Sequence, residues 1–346
     1  MRRLSLIRII IFAVISILVV SPVVFSSEAV DTISINNRIT DENLLTERFS
    51  RALKYQTVSQ EDRAQFNQEA FLGFQKFLEQ SFPKAHTIMK KEIVGDYSLL
   101  YKWQGRDDKA LPILLVAHMD VVPADTASGG SWSYPPFQGQ IADGFIWGRG
   151  TLDDKVSMVG IFEAVEKLLQ EEYVPDRTIY LAFGHDEEIG GRRGAATIAE
   201  LLNSRGLKLE YVLDEGFTII EDMMPGIAKA VALIGIAEKG CVSIELSVES
   251  EGGHSMMPPR ETAIGILSTA VSKLEKNQFP LRMEAPVKKM FETLAPEMSV
   301  GLKTVFSNLW LFGGLVEQKL ASVPRTNALV RTTVAPTIFQ AGVKEN

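Results

Sequence analysis

Residues 178–191 read TIYLAFGHDEEIGG. An apolar, strand-forming run leads straight into three carboxylates, Asp186, Glu187 and Glu188, and then into paired glycines. The first half reads as a buried strand. The second half gathers like charges at an apolar strand end, where each raises the pKa of the others unless a cation is near. The stretch therefore predicts a sheet strand with a charged site at its carboxyl end.

The pattern repeats on either side. PILLVAH (112–118) and AVALIGI (230–236) read as further buried strands, and LEYVLD (209–214) as a shorter one. Between them, DKVSMVGIFEAVEKLLQEEY (154–173) and RRGAATIAELLNSRG (192–206) read as helices, the latter stopped by Gly206. Upstream, helical patterns cover about 40–55 and 61–80. In the second, Phe66, Ala70, Phe74 and Phe77 recur at helical spacing before Pro83. This alternation predicts an α/β fold, a mostly parallel sheet with helices on both faces. From about Glu238 the character changes. KGCVSIELSVES (239–250) alternates like a half-exposed strand with Cys241 in the core, ETAIGILSTAVSKLEK (261–276) is an amphipathic helix, and NALVRTTVAPTIF (327–339) reads as another strand. These predict a partial α+β sandwich. The domain boundaries expected are 1–27, 28–238 and 239–346.

Composition narrows the function. With 346 residues, 46% hydrophobic and 23% charged, the chain is globular. A formal charge of −7 and the lack of a basic stripe argue against nucleic acid as a partner. The single cysteine rules out an internal disulfide framework and a cysteine-based zinc cluster. At the N-terminus a basic flank, MRRLSLIR, precedes an apolar run from Ile9 to Phe25 and small residues near Ser26 and Ser27. That pattern predicts a cleaved signal peptide and an exported protein, periplasmic or secreted. The alternative is a retained membrane anchor, the only way a membrane becomes a partner.

Ligands of open parallel sheets bind beyond the carboxyl ends of the strands. There the sequence puts His118 and Asp120, then Asp186, Glu187 and Glu188, then Asp214 and Glu215. GRGTLDDK (148–155) adds Asp153 and Asp154. One imidazole among many carboxylates suits zinc, or manganese or cobalt. His118 is placed to bind the metal, with Asp120 orienting it or a catalytic group from behind. His86 reads as a surface residue and His185 as structural. His254, in EGGHSMMPP (251–259), reads as an exposed loop imidazole.

AHMDVVP (117–123), WSYPPF (132–137), DGFIWGRGTLDDK (143–155), GHDEEIGG, LDEG (213–216) and GGHSMMPP (252–259) stand in the order found in a known family. The chain resembles the co-catalytic zinc aminoacylases and carboxypeptidases, in particular the branch of carboxypeptidase S and the N-fatty-acyl-amino acid synthase/hydrolases. The resemblance implies a zinc-peptidase-like domain with a lid and dimerisation domain, two zinc ions, and N-acyl amino acids or small peptides with a free carboxylate as substrates. It implies that Asp153 bridges the metals, that His118 and Asp214 serve one zinc and that Glu188 serves the other. Glu187 matches the general base and Asp120 the aspartate behind His118. His254 matches the lid histidine that steadies the oxyanion, often across a homodimer interface, and Asn346 a substrate-binding lid residue.

Family members continue beyond the lid strand that ends this chain, and the continuation carries the second zinc's histidine and a substrate-binding arginine. A C-terminally truncated form is therefore expected. Two functions follow: a zinc amidase, impaired in this form, or a catalytically inactive fragment that binds or dimerises.

Overall fold

The computed structural model describes residues 41–125, 132–216, 219–221, 227, 229–251 and 253–342. The expected signal or anchor segment and Asn346 lie outside these residues. Among the described residues no helix is long and apolar enough to cross a membrane. The chain divides into two units, one of residues 34–216 and one that includes residues 217–346.

The first unit holds a five-stranded sheet in the order β1-β2-β6-β3-β7. Its strands are β1 (Lys90–Val94), β2 (Ser98–Trp103), β3 (Ile113–His118), β6 (Ile179–Gly184) and β7 (Val212–Leu213), while β4 (Gln140–Ala142) and β5 (Phe145–Trp147) form a separate hairpin. β3 runs parallel to β6 and to β7, and β2, antiparallel to both β1 and β6, is the one reversed strand of this sheet. The mostly parallel α/β reading of the sequence is therefore correct. It missed β1 and β2, which add an antiparallel flank.

Alternating side chains feed the two faces of this sheet. Leu99, Tyr101, Trp103, Ala117, Leu181 and Phe183 point to one core. Helices α1 (Glu42–Ala52), α2 (Gln68–Ser81), α3 (Pro83–Ile88) and α4 (Lys155–Gln170) supply Phe49, Phe74, Phe77, Ala85 and Phe162 to the same core. On the other face Leu100, Leu114, Tyr180 and Ala182 meet Ile198 and Leu202 of α5 (Ala195–Ser204). Helices thus cover both faces.

Local capping explains the boundaries. The Asp41 carboxylate accepts from the Leu44 amide at 3.0 Å and starts α1. α2 begins at Gln68, later than the periodicity suggests, because the Asn67 side chain accepts from the Ala70 amide at 3.2 Å and takes the cap position. His86 proves not to be a surface histidine. Its Nδ1 lies 2.8 Å from the Phe82 carbonyl oxygen and its Nε2 2.9 Å from the Tyr101 hydroxyl, and its ring stacks on Phe162. Burial pushes its pKa down.

The second unit departs further from expectation. A two-stranded pair, β8 (Ile219–Ile220) with β9 (Val231–Ala232), precedes helices α6 (Ala263–Lys276), α7 (Ala285–Leu294), α8 (Val300–Phe306), α9 (Leu309–Ala321) and α10 (Pro324–Val330). Its core packs Phe291 on Phe306, with ring centres 4.7 Å apart, and adds Leu309 and Val316. The predicted helix at 261–276 forms as α6. The predicted strands do not. Only Val231 and Ala232 of AVALIGI pair, residues 239–250 join no ladder, and Cys241 is exposed rather than buried. An alternating segment becomes a strand only when a neighbour takes its backbone hydrogen bonds. Residues 327–330 are helical because Pro324 opens α10 with its φ already set.

Candidate metal centre

The register of the parallel strands builds the site. His118 closes β3 opposite Gly184, which closes β6, and the Met119 amide donates to the Gly184 carbonyl at 2.9 Å. The loops after both strands therefore leave the sheet side by side. Leu115 pairs with Leu213, which brings the end of β7 to the same rim.

The opening stretch resolves into distinct duties. Asp186 is buried and holds the turn together, its two carboxylate oxygens accepting from the Arg193 and Gly194 amides at 2.8 Å each. Glu187–Ile189 form a single 3₁₀ turn, ended by Gly190 at φ +98°, a conformation that favours glycine. His185 turns inward, with Nδ1 2.6 Å from the Ser98 hydroxyl, and burial lowers its pKa. It is structural, as the sequence suggested. Gly194 leaves no room for a side chain, since a Cβ there would stand 2.5 Å from Asp186 Oδ1 and 2.9 Å from Ser98 Oγ. Gly194→Ala is therefore expected to lower stability by about 1–3 kcal/mol, read from the midpoint of denaturant unfolding. An unchanged midpoint would mean that the Asp186 clamp is not a fixed part of the turn.

Asp120 joins the two loops. It is fully buried, and its carboxylate accepts from the Glu187 and Glu188 amides at 3.1 Å each. It also faces the imidazole: His118 Nδ1 lies 3.0 Å from the Asp120 carbonyl oxygen and 3.3 Å from Oδ1. Burial would raise the Asp120 pKa, but the His118 contact holds it below the usual range. A histidine that donates from Nδ1 to a carboxylate or carbonyl presents its Nε2 lone pair to a metal.

On the Nε2 side three carboxylates converge. Asp153 Oδ1 is 2.9 Å away, Glu215 Oε2 3.3 Å and Glu187 Oε2 3.8 Å. His118 is only 2% exposed. Burial alone would make it hard to protonate, but the hydrogen bonds to Asp120 and Glu215, with their charges, push its pKa up to about 12. Burial also raises Glu187 and Glu188, helped by neighbouring carboxylates, and lifts Asp154 to about 7. The site therefore demands positive charge. Ligand atoms of His118, Asp153 and Glu188, and those of His118, Glu187 and Glu215, lie within 4.8 Å of one another. This set, one imidazole and several carboxylates with no thiol, fits a divalent cation such as zinc.

The structure gathers His118, Asp120, Asp153, Glu187 and Glu188 into one cluster. Asp214 is exposed at the end of β7, and its neighbour Glu215 is the carboxylate that contacts His118. The family resemblance named Asp214 as the ligand beside His118 and gave Glu215 no role, whereas here Glu215 is the acid that faces the imidazole. His254 belongs to the second unit, exposed in a turn where its Nδ1 accepts from the Met256 amide at 3.3 Å.

Comparison with known proteins identifies the family. Residues 114–321 match Peptidase family M20/M25/M40. That is more than half of the chain, and the chain belongs to this family. It is 47% identical over 305 residues to an N-fatty-acyl-amino acid synthase/hydrolase of Danio rerio, covering 87% of this chain and 59% of that protein. It is 45% identical over 306 residues to the probable carboxypeptidase S-like 2 of Dictyostelium discoideum, covering 87% of this chain and 58% of that protein. Among solved structures, human carnosine dipeptidase 1 aligns with 53% of this chain and 40% of its own at 18% identity, with a TM-score of 0.42. The chain spans about three-fifths of the length of these two curated relatives.

Proposed function

We propose that this member of peptidase family M20/M25/M40 carries the zinc-binding part of an amidase that cleaves N-acyl amino acids or small peptides with a free carboxylate. The observation behind the reading is the convergence of Asp153, Glu187 and Glu215 on one imidazole nitrogen at the carboxyl ends of parallel strands. The names of the relatives, a fatty-acyl-amino acid synthase/hydrolase and a carboxypeptidase, supply the substrate class.

His118, Asp153 and Asp214 are the proposed ligands of one zinc ion, and Asp153 with Glu188 those of a second. Glu215 lines the same rim. Bound zinc would polarise the scissile carbonyl and lower the pKa of water at the site. Glu187 takes the proton of the attacking water and returns it to the departing nitrogen. Its side chain is suited to this, half exposed on a turn whose amides Asp120 fixes. Asp120 keeps His118 in the tautomer with Nε2 free for the metal. His254 is the proposed donor to the developing oxyanion, and Asn346 a further substrate contact. We place the protein outside the cytoplasm, exported on its N-terminal segment, and assign homodimerisation to residues 239–346.

The alternative, a non-catalytic binding fragment, predicts no turnover. Purified chain assayed with N-acyl amino acids, before and after chelation, separates the two. Weak hydrolysis, lost to the chelator and restored by zinc, is the expected result, and hydrolysis that survives chelation would refute the metal reading.

Charge linkage gives a second test. With no metal, the His118 pKa is pushed up, and the carboxylates of Asp153 and Glu215 beside Nε2 favour a second proton on the imidazole. Zinc must displace it, so binding releases protons and weakens as pH falls. Calorimetric titration in two buffers of different ionisation enthalpy should give different apparent heats. Identical heats would mean that no proton leaves.

A further inference from the structure

Lys155 is fully buried, and the chemistry above makes no use of it. A buried ammonium needs acceptors to replace its lost hydration. Here they are backbone carbonyls: Nζ donates to the Ala52 oxygen at 3.2 Å and the Tyr55 oxygen at 2.5 Å, and lies 4.8 Å from the centre of the Phe74 ring. Both carbonyls belong to the end of α1 and the turn that follows it. Lys155 itself is the first residue of α4, directly after Asp153 and Asp154. The loop leading to it rests on its stem, for at Gly150, with φ +90°, a Cβ would stand 3.2 Å from Lys155 Cδ.

The same short segment also holds the other half of the site. Thr57 Oγ1 donates to the Met119 carbonyl at 2.6 Å, the Val121 amide donates to the Thr57 carbonyl at 3.0 Å, and Val58 bridges Val121. Residues 52–58 thus carry the loop that presents His118 and Asp120, and through Lys155 they carry the turn that presents Asp153. The two ligands from these loops meet at 2.9 Å. The Asp153 side chain is 67% exposed, so little packing aims it and its direction comes from its neighbours in the chain.

We propose that Lys155 is a positioning residue: by tying the Asp153–Asp154 turn to the carbonyls of Ala52 and Tyr55, it sets the separation of His118 and Asp153 that receives the metal. The proposal rests on the zinc reading of the site. An apolar side chain of similar length would fill the space, but only a directed donor fixes the spacing of two backbone segments.

The test is zinc affinity of the 346-residue chain, by competition with a chromophoric chelator, alongside thermal melting of the metal-free protein. Lys155→Met is expected to bind zinc at least about tenfold more weakly, the range seen when groups behind metal ligands are lost. Leu202→Ala, buried on the opposite face of the sheet, is the control. It should melt earlier and bind zinc as the wild type does. Should circular dichroism show Lys155→Met unfolded, Lys155→Gln is read in its place, with the same weakening expected. Unchanged affinity in the lysine variant overturns the proposal, as does equal weakening in Leu202→Ala, which would trace the effect to stability. Wild-type protein that binds no zinc overturns the zinc reading itself, a result distinct from either.

Discussion

Replacing Glu187 by Gln is expected to lower the proposed amide hydrolysis by at least about 10²-fold, the low end of what a general base contributes, with the fold and the zinc content unchanged. The substitution keeps shape and hydrogen bonding but removes the basic oxygen. Burial, with Glu215, Asp120 and Asp153 nearby, raises the Glu187 pKa against the opposing effect of His118. A raised pKa makes the carboxylate a better proton acceptor. The amide of Glu187 stays bound to Asp120 in the variant, so the turn has no reason to move. Turnover within a few-fold of wild type would remove Glu187 from the reaction. Loss of zinc together with loss of activity would make it a ligand instead, which its 3.8 Å approach to His118 Nε2 allows geometrically.

Asp120→Ala is expected to damage both stability and metal binding. Two amides, those of Glu187 and Glu188, lose their acceptor, at about 1–3 kcal/mol for each group left buried without one. His118 keeps the Asp120 carbonyl but loses the carboxylate that fixes its tautomer. Zinc affinity should fall about 10–100-fold, as for other residues behind metal ligands. Denaturant unfolding of the metal-free protein reads the first effect and chelator competition the second. A variant as stable as wild type would show that water replaces the carboxylate at both amides. One with undiminished zinc affinity would show that the backbone carbonyl alone orients the imidazole.

The sheet was legible wherever the hydrophobic signal was continuous. PILLVAH and TIYLAFG are buried on both faces, so each reads as an unbroken apolar run, and the structure forms β3 and β6 there. β1 and β2 escaped notice because KKEIV carries charge at three of its five positions and SLLYKW breaks its run with Lys102. In the second unit, α7, α8 and α9 gave no clear signal, while the alternation at 239–250 gave one that no pairing partner satisfies. Periodicity reports which side of a segment is apolar, and says nothing about whether a neighbour exists to take its hydrogen bonds.

The site was legible as residue types at strand ends, and its assembly was not. As residue types Asp186, Glu187 and Glu188 are three like acids, and only the family resemblance tells them apart in the sequence. The structure separates them into a clamp on two amides, a half-exposed carboxylate near His118 and a partly buried carboxylate that accepts from the Val122 amide at 3.2 Å. Lys155 reads as an ordinary helix-start lysine. Its role rests on carbonyls of Ala52 and Tyr55, a hundred residues away in the chain, and a carbonyl leaves no trace in a sequence.

The most direct test of the central claim is the zinc content of purified protein by elemental analysis, with His118→Ala prepared identically. At least one zinc ion per chain is expected in the wild type, with little left in the variant, because His118 is the only imidazole in the acidic cluster among the described residues. Wild-type protein with no more zinc than His118→Ala would contradict the account.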